Sequence, residues 1–239
     1  MNKNKRDLYP GHHTKQVGAD TNKLRAAVLG ANDGIVSVAS IVVGVAGVAN
    51  STSQITTAGV AGLVAGAFSM AVGEYVSVSS QRDTERVLLR RERRLIEKFP
   101  EEEFEELASL YEAKGLSHAT ALQVASELTK NDVHAAHFDA ELGIDPHELT
   151  NPWAAALASS LAFTAGGVVP LATIIFVTKN TRIPATFLAV IAALFITGIL
   201  SAKASGASKR KASIRVIIGG LIAMSVTFLV GRLLGAITL

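Results

Sequence analysis

Two carboxylates stand inside long apolar runs, Asp33 and Glu74. An ionisable group at bilayer depth is costly and marks a functional position by default. Asp33 lies eight residues beyond Arg25, roughly 12 Å along a helix, and Glu74 lies seven residues before Gln81, roughly 10 Å. On neighbouring spans of opposite direction, the two acids reach a similar depth from the same side. Met70 is one helical turn from Glu74, and its thioether is a soft ligand that transition metals accept and Mg²⁺ or Ca²⁺ do not favour. Carboxylate plus thioether is a ligand set for a soft-to-borderline divalent cation. The competing explanation is an acid satisfied locally by Ser37, Ser69, Ser77 and backbone donors.

A second group of candidate ligands lies further along the chain. Glu103 and Glu106 are three residues apart, as are His134 and His137, and His137 and Glu141 are four apart. On a helix each spacing puts two side chains on one face. Carboxylates and imidazoles brought together in this way suit Fe²⁺, Mn²⁺ or Zn²⁺. The run Glu101-Glu102-Glu103, taken alone, is better explained by a solvated helix N-terminus interacting with the helix dipole. His12 and His13 sit in a polar tail and carry no assignment.

The elements that must position these residues follow from hydropathy. Apolar runs of about 20 residues or more, with at most two charged residues each and long enough to cross the bilayer core as helix, occupy approximately 26–49, 55–80, 153–178, 183–202 and 213–237. The first is no cleavable signal, because it begins late and a second span follows at once. Lys and Arg number 6 before the first span, 9 in residues 81–152 and 5 in residues 203–215, against 0 and 2 in the loops on the other side and 1, Arg232, toward the far end of the fifth span. The positive-inside rule then puts residues 1–25 and 81–152 in the cytosol and the C-terminus on the far side. Gly59, Gly62, Gly66 and Gly73 on the second span predict close helix packing, and Pro170 predicts a break or kink in the third.

Sixteen of the twenty acidic residues lie between Asp83 and Glu148, whereas residues 153–239 contain none. The segment 81–152 is too polar for the bilayer and too patterned for a linker. One helix continues from the second span to about Phe99, a second opens at Pro100 and closes at Gly115, and a third stretch, in one piece or two, runs from Ser117 to Gly143. Leu107, Leu110, Tyr111, Leu122, Val124 and Leu128 are the predicted inward face of this bundle. The fold class is therefore an all-α integral membrane protein of five transmembrane helices with a cytosolic three-helix insert. Its parts are a tail 1–25, helices one and two in 26–80, the insert 81–152, and helices three to five in 153–239.

The absence of cysteine excludes disulfides, zinc-thiolate sites and thiol nucleophiles. No basic stripe interleaved with aromatics suggests nucleic acid. A di-iron oxidase of the ferritin type would need Glu-x-x-His pairs, and no glutamate of the insert has histidine three residues on. The chain is expected not to be an enzyme. A membrane-anchored metal sensor or scaffold is the alternative to a transporter, although anchors have no need of acids at matched depth.

Three motifs, Asp33-Gly34-Ile35-Val36-Ser37, Met70-Ala71-Val72-Gly73-Glu74-Tyr75-Val76-Ser77 and Ser80-Gln81-Arg82-Asp83, together with the acidic insert closed by Glu141-Leu142-Gly143, resemble the vacuolar iron transporter family in a prokaryotic form. The resemblance covers nearly the whole chain after about residue 20. It implies a homodimer that moves Fe²⁺, often also Mn²⁺, out of the cytosol in exchange for protons, with a path lined by Asp33, Met70 and Glu74. For this chain a bacterial-type plasma membrane is the expected location. The resemblance adds Glu92 to Glu103, Glu106 and Glu141 as metal ligands of the insert. Two positions depart from the family pattern: Leu95 replaces a glutamate, and His137-Phe138 replaces methionines. The metal is cargo, and no permanently bound cofactor is implied.

Overall fold

The computed structural model describes residues 13–49, 51–146 and 149–238, and all regular structure among them is helical. The first dozen residues of the expected tail, with His12, lie outside the described part. Seven α-helices follow in chain order: α1 His13–Val48, α2 Thr52–Lys98, α3 Pro100–Ala113, α4 His118–His137, α5 Pro152–Phe176, α6 Arg182–Ser205 and α7 Lys209–Thr238. A single π-helical turn, Phe138–Leu142, extends α4. Five helices contain stretches long and apolar enough to cross a membrane: α1 over Ala27–Val48, then α2, α5, α6 over Arg182–Lys203 and α7 over Lys209–Ile237.

The chain divides into two compact units. One comprises the chain up to Glu74 and from Ala154 onward, and the other is Tyr75–Trp153. The core of the first unit centres on α1, whose Ile35, Val38, Ala39, Val42 and Val43 are buried with Phe163, Ile174, Val190, Leu194 and Met224. Backbone meets backbone where α1 crosses α5. A methyl group on Gly34 would collide with the Phe163 carbonyl, and one on Gly166 with the Ala31 carbonyl. The glycines of α2 play a smaller part. Gly59, Gly62 and Gly66 accommodate the tips of Leu171 and Val42, Ile41 and Phe163, whereas Gly73 has open space around it.

The expected break at Pro170 does not occur, since α5 runs through it. The missing N–H costs one hydrogen bond of the ladder, and the flanking turn is held against α1 at Gly166 and against Val38 and Leu63 at Gly167. The exposed faces of α5, α6 and α7 are rich in large apolar residues. On α7, Ile214, Ile218, Ile222, Val226, Leu229 and Leu233 form an exposed stripe as a lipid-facing helix requires.

In the second unit, α3 and α4 form a hairpin around Leu107, Ala108, Ala121, Ala125 and Ala136. Leu122, Leu128 and Tyr111 pack at its margin as predicted, while Leu110 and Val124 are half-buried outside this cluster. Ser117 caps α4 through its hydroxyl, and Gly115 and Gly143 take the positive φ of 100° and 63° that end helices. The long third stretch is two pieces. Asp132 has extended backbone (φ −161°, ψ 102°), and its Oδ1 accepts a hydrogen bond from Ala135 N at 3.0 Å, so it caps a new helical segment.

Candidate metal site

Four of the insert's acidic and imidazole side chains converge within the second unit. On α2, Glu92 shares a buried face with Leu89 and Ile96, at spacings of three and four residues. On α3, Glu103 is one turn before fully buried Leu107. His137 ends the short segment that Asp132 starts, and Glu141 follows in the π-turn. One ligand atom from each of Glu92, Glu103, His137 and Glu141 lies within 4.8 Å of all the others. Among the described residues this is the one grouping of three or more His, Asp or Glu with that geometry.

The interior of the grouping is polar and unsatisfied. His137 Nδ1 is 3.1 Å from Glu92 Oε1 and 3.8 Å from Glu103 Oε2. All three atoms are buried, yet none has a properly directed hydrogen bond among the described residues. Buried polar atoms are ordinarily paired, so orphans that point at one another are what a cation's ligands look like.

Electrostatics agree with this reading. Burial, then the hydrogen bond with and charge of Glu141, push the Glu92 carboxyl up to about 7, and Glu103 and Glu106 add to the effect. Glu103 is raised by burial and by the charges of Glu106 and Glu141. Burial lowers the pKa of His137, which keeps the imidazole neutral and available as a ligand. A divalent cation replaces the protons that otherwise relieve this carboxylate repulsion.

Phe138 faces away from the ligands. It is 1% exposed, stacks on His134 with ring centroids 5.9 Å apart, and has the Arg93 guanidinium 5.6 Å from its ring centre. Of the two residues at the departing position, His137 therefore enters the grouping and Phe138 fills the core. The π-turn and the Asp132 cap, which orient this segment, carry no period that a sequence scan would register. Two candidate ligands stay outside the grouping. Glu106 is exposed on α3 and acts on the site through its charge. His134 stacks on Phe138, and its buried Nδ1 has no hydrogen-bond partner among the described residues.

Asp33, Met70 and Glu74 belong to the first unit. Asp33 is exposed on α1 and accepts a hydrogen bond from Ser37 Oγ at 3.1 Å, which is part of the local satisfaction weighed above. Met70 is half-buried against the apolar core, and Glu74, one turn further on, is half-buried. The neighbouring Asn32 Oδ1 and, further along α1, Ser40 Oγ are buried without hydrogen-bond partners among the described residues. These two add uncharged polar groups on α1 to Asp33 and Ser37.

A sequence profile described as the VIT family matches residues 24–232. The chain belongs to the VIT family. A relative called vacuolar iron transporter, from Acanthamoeba castellanii, is 40% identical over 236 residues, covering 95% of this chain and 85% of its own. From Arabidopsis thaliana, vacuolar iron transporter homolog 2.1 is 35% identical, with 89% of this chain and 82% of the relative covered. A VIT-like transporter 1b of Glycine max is also 35% identical, over 89% and 76% of the two chains. The matched range takes in every residue from Asp33 to Glu141 discussed above.

Proposed function

We propose that this VIT-family chain is a membrane transporter that moves Fe²⁺, and with it Mn²⁺, out of the cytosol in exchange for protons. The observation that carries the proposal is the exposed carboxylate of Asp33 within an apolar span. A carboxylate cannot be left facing hydrocarbon, so this face of α1 looks onto a water-filled path or another polypeptide. Relatives of high coverage named as iron transporters support iron as cargo.

In this account Asp33, Met70 and Glu74 line the path, and the path runs between two copies of the chain. The exposed face of α2 fits a second copy. Ala61, Ala65, Ser69, Gly73 and Ser77 recur every fourth residue, which allows the close approach that helices in lipid use for association. The bulky exposed stripe of α7 offers no such approach. The insert, on the cytosolic side by the charge count, gathers metal at Glu92, Glu103, His137 and Glu141. Three carboxylates and one imidazole favour Fe²⁺, Mn²⁺ and Zn²⁺ over Cu⁺, and His137 gives the site nitrogen in place of thioether. The host membrane is a bacterial-type plasma membrane, with the N-terminus cytosolic and the C-terminus on the far side.

Metal entering the path displaces protons from the carboxylates, and opening toward the other side returns protons inward as metal leaves. Asp33→Ala is expected to abolish metal uptake into inverted vesicles while the protein remains in the membrane. Wild-type uptake by that variant overturns the proposed path. A metal-binding sensor predicts no flux at all, with binding at the insert retained.

A further inference from the structure

At the end of the first unit where α1 gives way to α2, a guanidinium is buried with no carboxylate beside it among the described residues. Arg182, the first residue of α6, is 3% exposed. Residues 153–239 contain no acid, and the turn from Val48 to Gln54 contains none. The guanidinium instead reaches across to that turn. Nη1 donates to Thr52 Oγ1 at 3.2 Å and Nη2 to the Ala49 carbonyl at 3.5 Å. The positive charge thus sits at the C-terminal end of α1, where the helix dipole is negative, although its own helix dipole disfavours it. Nε is buried and has no hydrogen-bond partner among the described residues.

The surroundings hold Arg182 in place. The Thr178 carbonyl accepts from Arg182 N at 2.9 Å, and the Arg182 carbonyl accepts from Thr186 Oγ1 at 2.7 Å in the interior. Ile55, one turn into α2, is 1% exposed and packs in the core cluster with Val42, Val43 and Ile174. Another side-chain hydrogen bond between helices of this unit runs from Ser213 Oγ to the Phe195 carbonyl at 3.3 Å. A charge kept under cover by two neutral acceptors is a poor choice for stability alone, because burial costs more than such bonds return.

We infer that Arg182 is a latch: its bonds to Thr52 and Ala49 hold the α1–α2 turn against α6 and close this end of the unit, and their release frees α1 and α2, the helices that carry Asp33, Met70 and Glu74, to move. The inference rests on the transport reading, but its test does not depend on flux. The chain has no cysteine, so Ile55→Cys supplies a single buried thiol just inside the latch. Labelling of that thiol by a membrane-impermeant methanethiosulfonate is read in proteoliposomes, in the otherwise native background and with Arg182→Gln or Thr52→Val added. Loss of a hydrogen bond to a charged group is worth about tenfold or more in an opening equilibrium. Arg182→Gln is therefore expected to speed labelling at least about tenfold, and Thr52→Val, which keeps the charge and removes one acceptor, to speed it less.

Transport by the unlabelled variants separates the two claims. Accelerated labelling with wild-type protein that carries no metal upholds the latch and overturns the transport reading. Unchanged labelling in both variants, with wild-type flux intact, overturns the latch. If Arg182→Gln does not reach the membrane, Thr52→Val alone decides by the same criterion.

Discussion

At the residue scale, the site rests on buried atoms that lack partners without a cation. His137 Nδ1 touches two carboxylate oxygens and has no other task among the described residues. His137→Ala is expected to weaken Mn²⁺ or Fe²⁺ binding to the insert at least about tenfold, a loss of the size seen when a metal site is disturbed. Equilibrium competition with a metal-sensitive dye checks it. His137→Met should shift preference away from Zn²⁺, because a thioether is a weaker ligand than imidazole for that ion. Glu92 gives a pH dependence with a definite sign. Its pKa is raised to about 7 in the fold from 4.5, so it adds stability below 4.5 that is lost as pH rises through about 7. His137 acts oppositely, losing stability as pH falls below its ordinary 6.5. Above pH 6.5 the His137 effect is over, and exposed His118, whose pKa is raised by its hydrogen bond with Glu112 and that group's charge, loses stability with rising pH in the same direction as Glu92. The metal-free insert should melt lower as pH rises above 6.5, while its apparent metal affinity increases, and thermal melts with and without Mn²⁺ test both.

Element boundaries were largely legible. Pro100 opening α3, Ser117 capping α4, and Gly115 and Gly143 ending helices are local signals, and local backbone chemistry decides them. What escaped sequence reading depends on partners distant along the chain. The buried core of the insert is mainly alanine with Leu107, and the assigned Tyr111, Leu122 and Leu128 pack around it. Pro170 passes without a break because neighbours support the turn around it. Glu92 had no spacing signal, being one acid among Arg90, Arg91, Arg93 and Arg94, and only the family resemblance named it. The π-turn and Asp132 break together aim the ligand segment. Asp132→Ala is expected to cost about 1 kcal/mol as a lost cap, and Phe138→Ala about 3–5 kcal/mol as a core cavity; chemical denaturation of each variant measures both. Gly166→Val should prevent α1 and α5 from closing and leave little folded protein in the membrane, since backbone occupies the space a side chain would need.

At the scale of the whole molecule, Asp33 and the small-residue stripe of α2 are exposed among the described residues. A second copy is the proposed cover, and Gly73, with open space around it, is a clean place to look. Gly73→Cys in this cysteine-free chain is expected to give a disulfide-linked dimer on mild oxidation, read as a doubled mass by denaturing electrophoresis. Persistently monomeric protein would count against a path between copies. The account as a whole stands on transport through the carboxylates. The most direct measurement is metal flux together with internal pH in proteoliposomes of purified protein, for wild type and Asp33→Ala, with Fe²⁺, Mn²⁺, Zn²⁺ and Ca²⁺ offered in turn. The account predicts Fe²⁺ or Mn²⁺ movement matched by opposing proton movement, both lost in Asp33→Ala, and none for Ca²⁺. Equal flux in wild type and variant, or no flux for any metal, would contradict it.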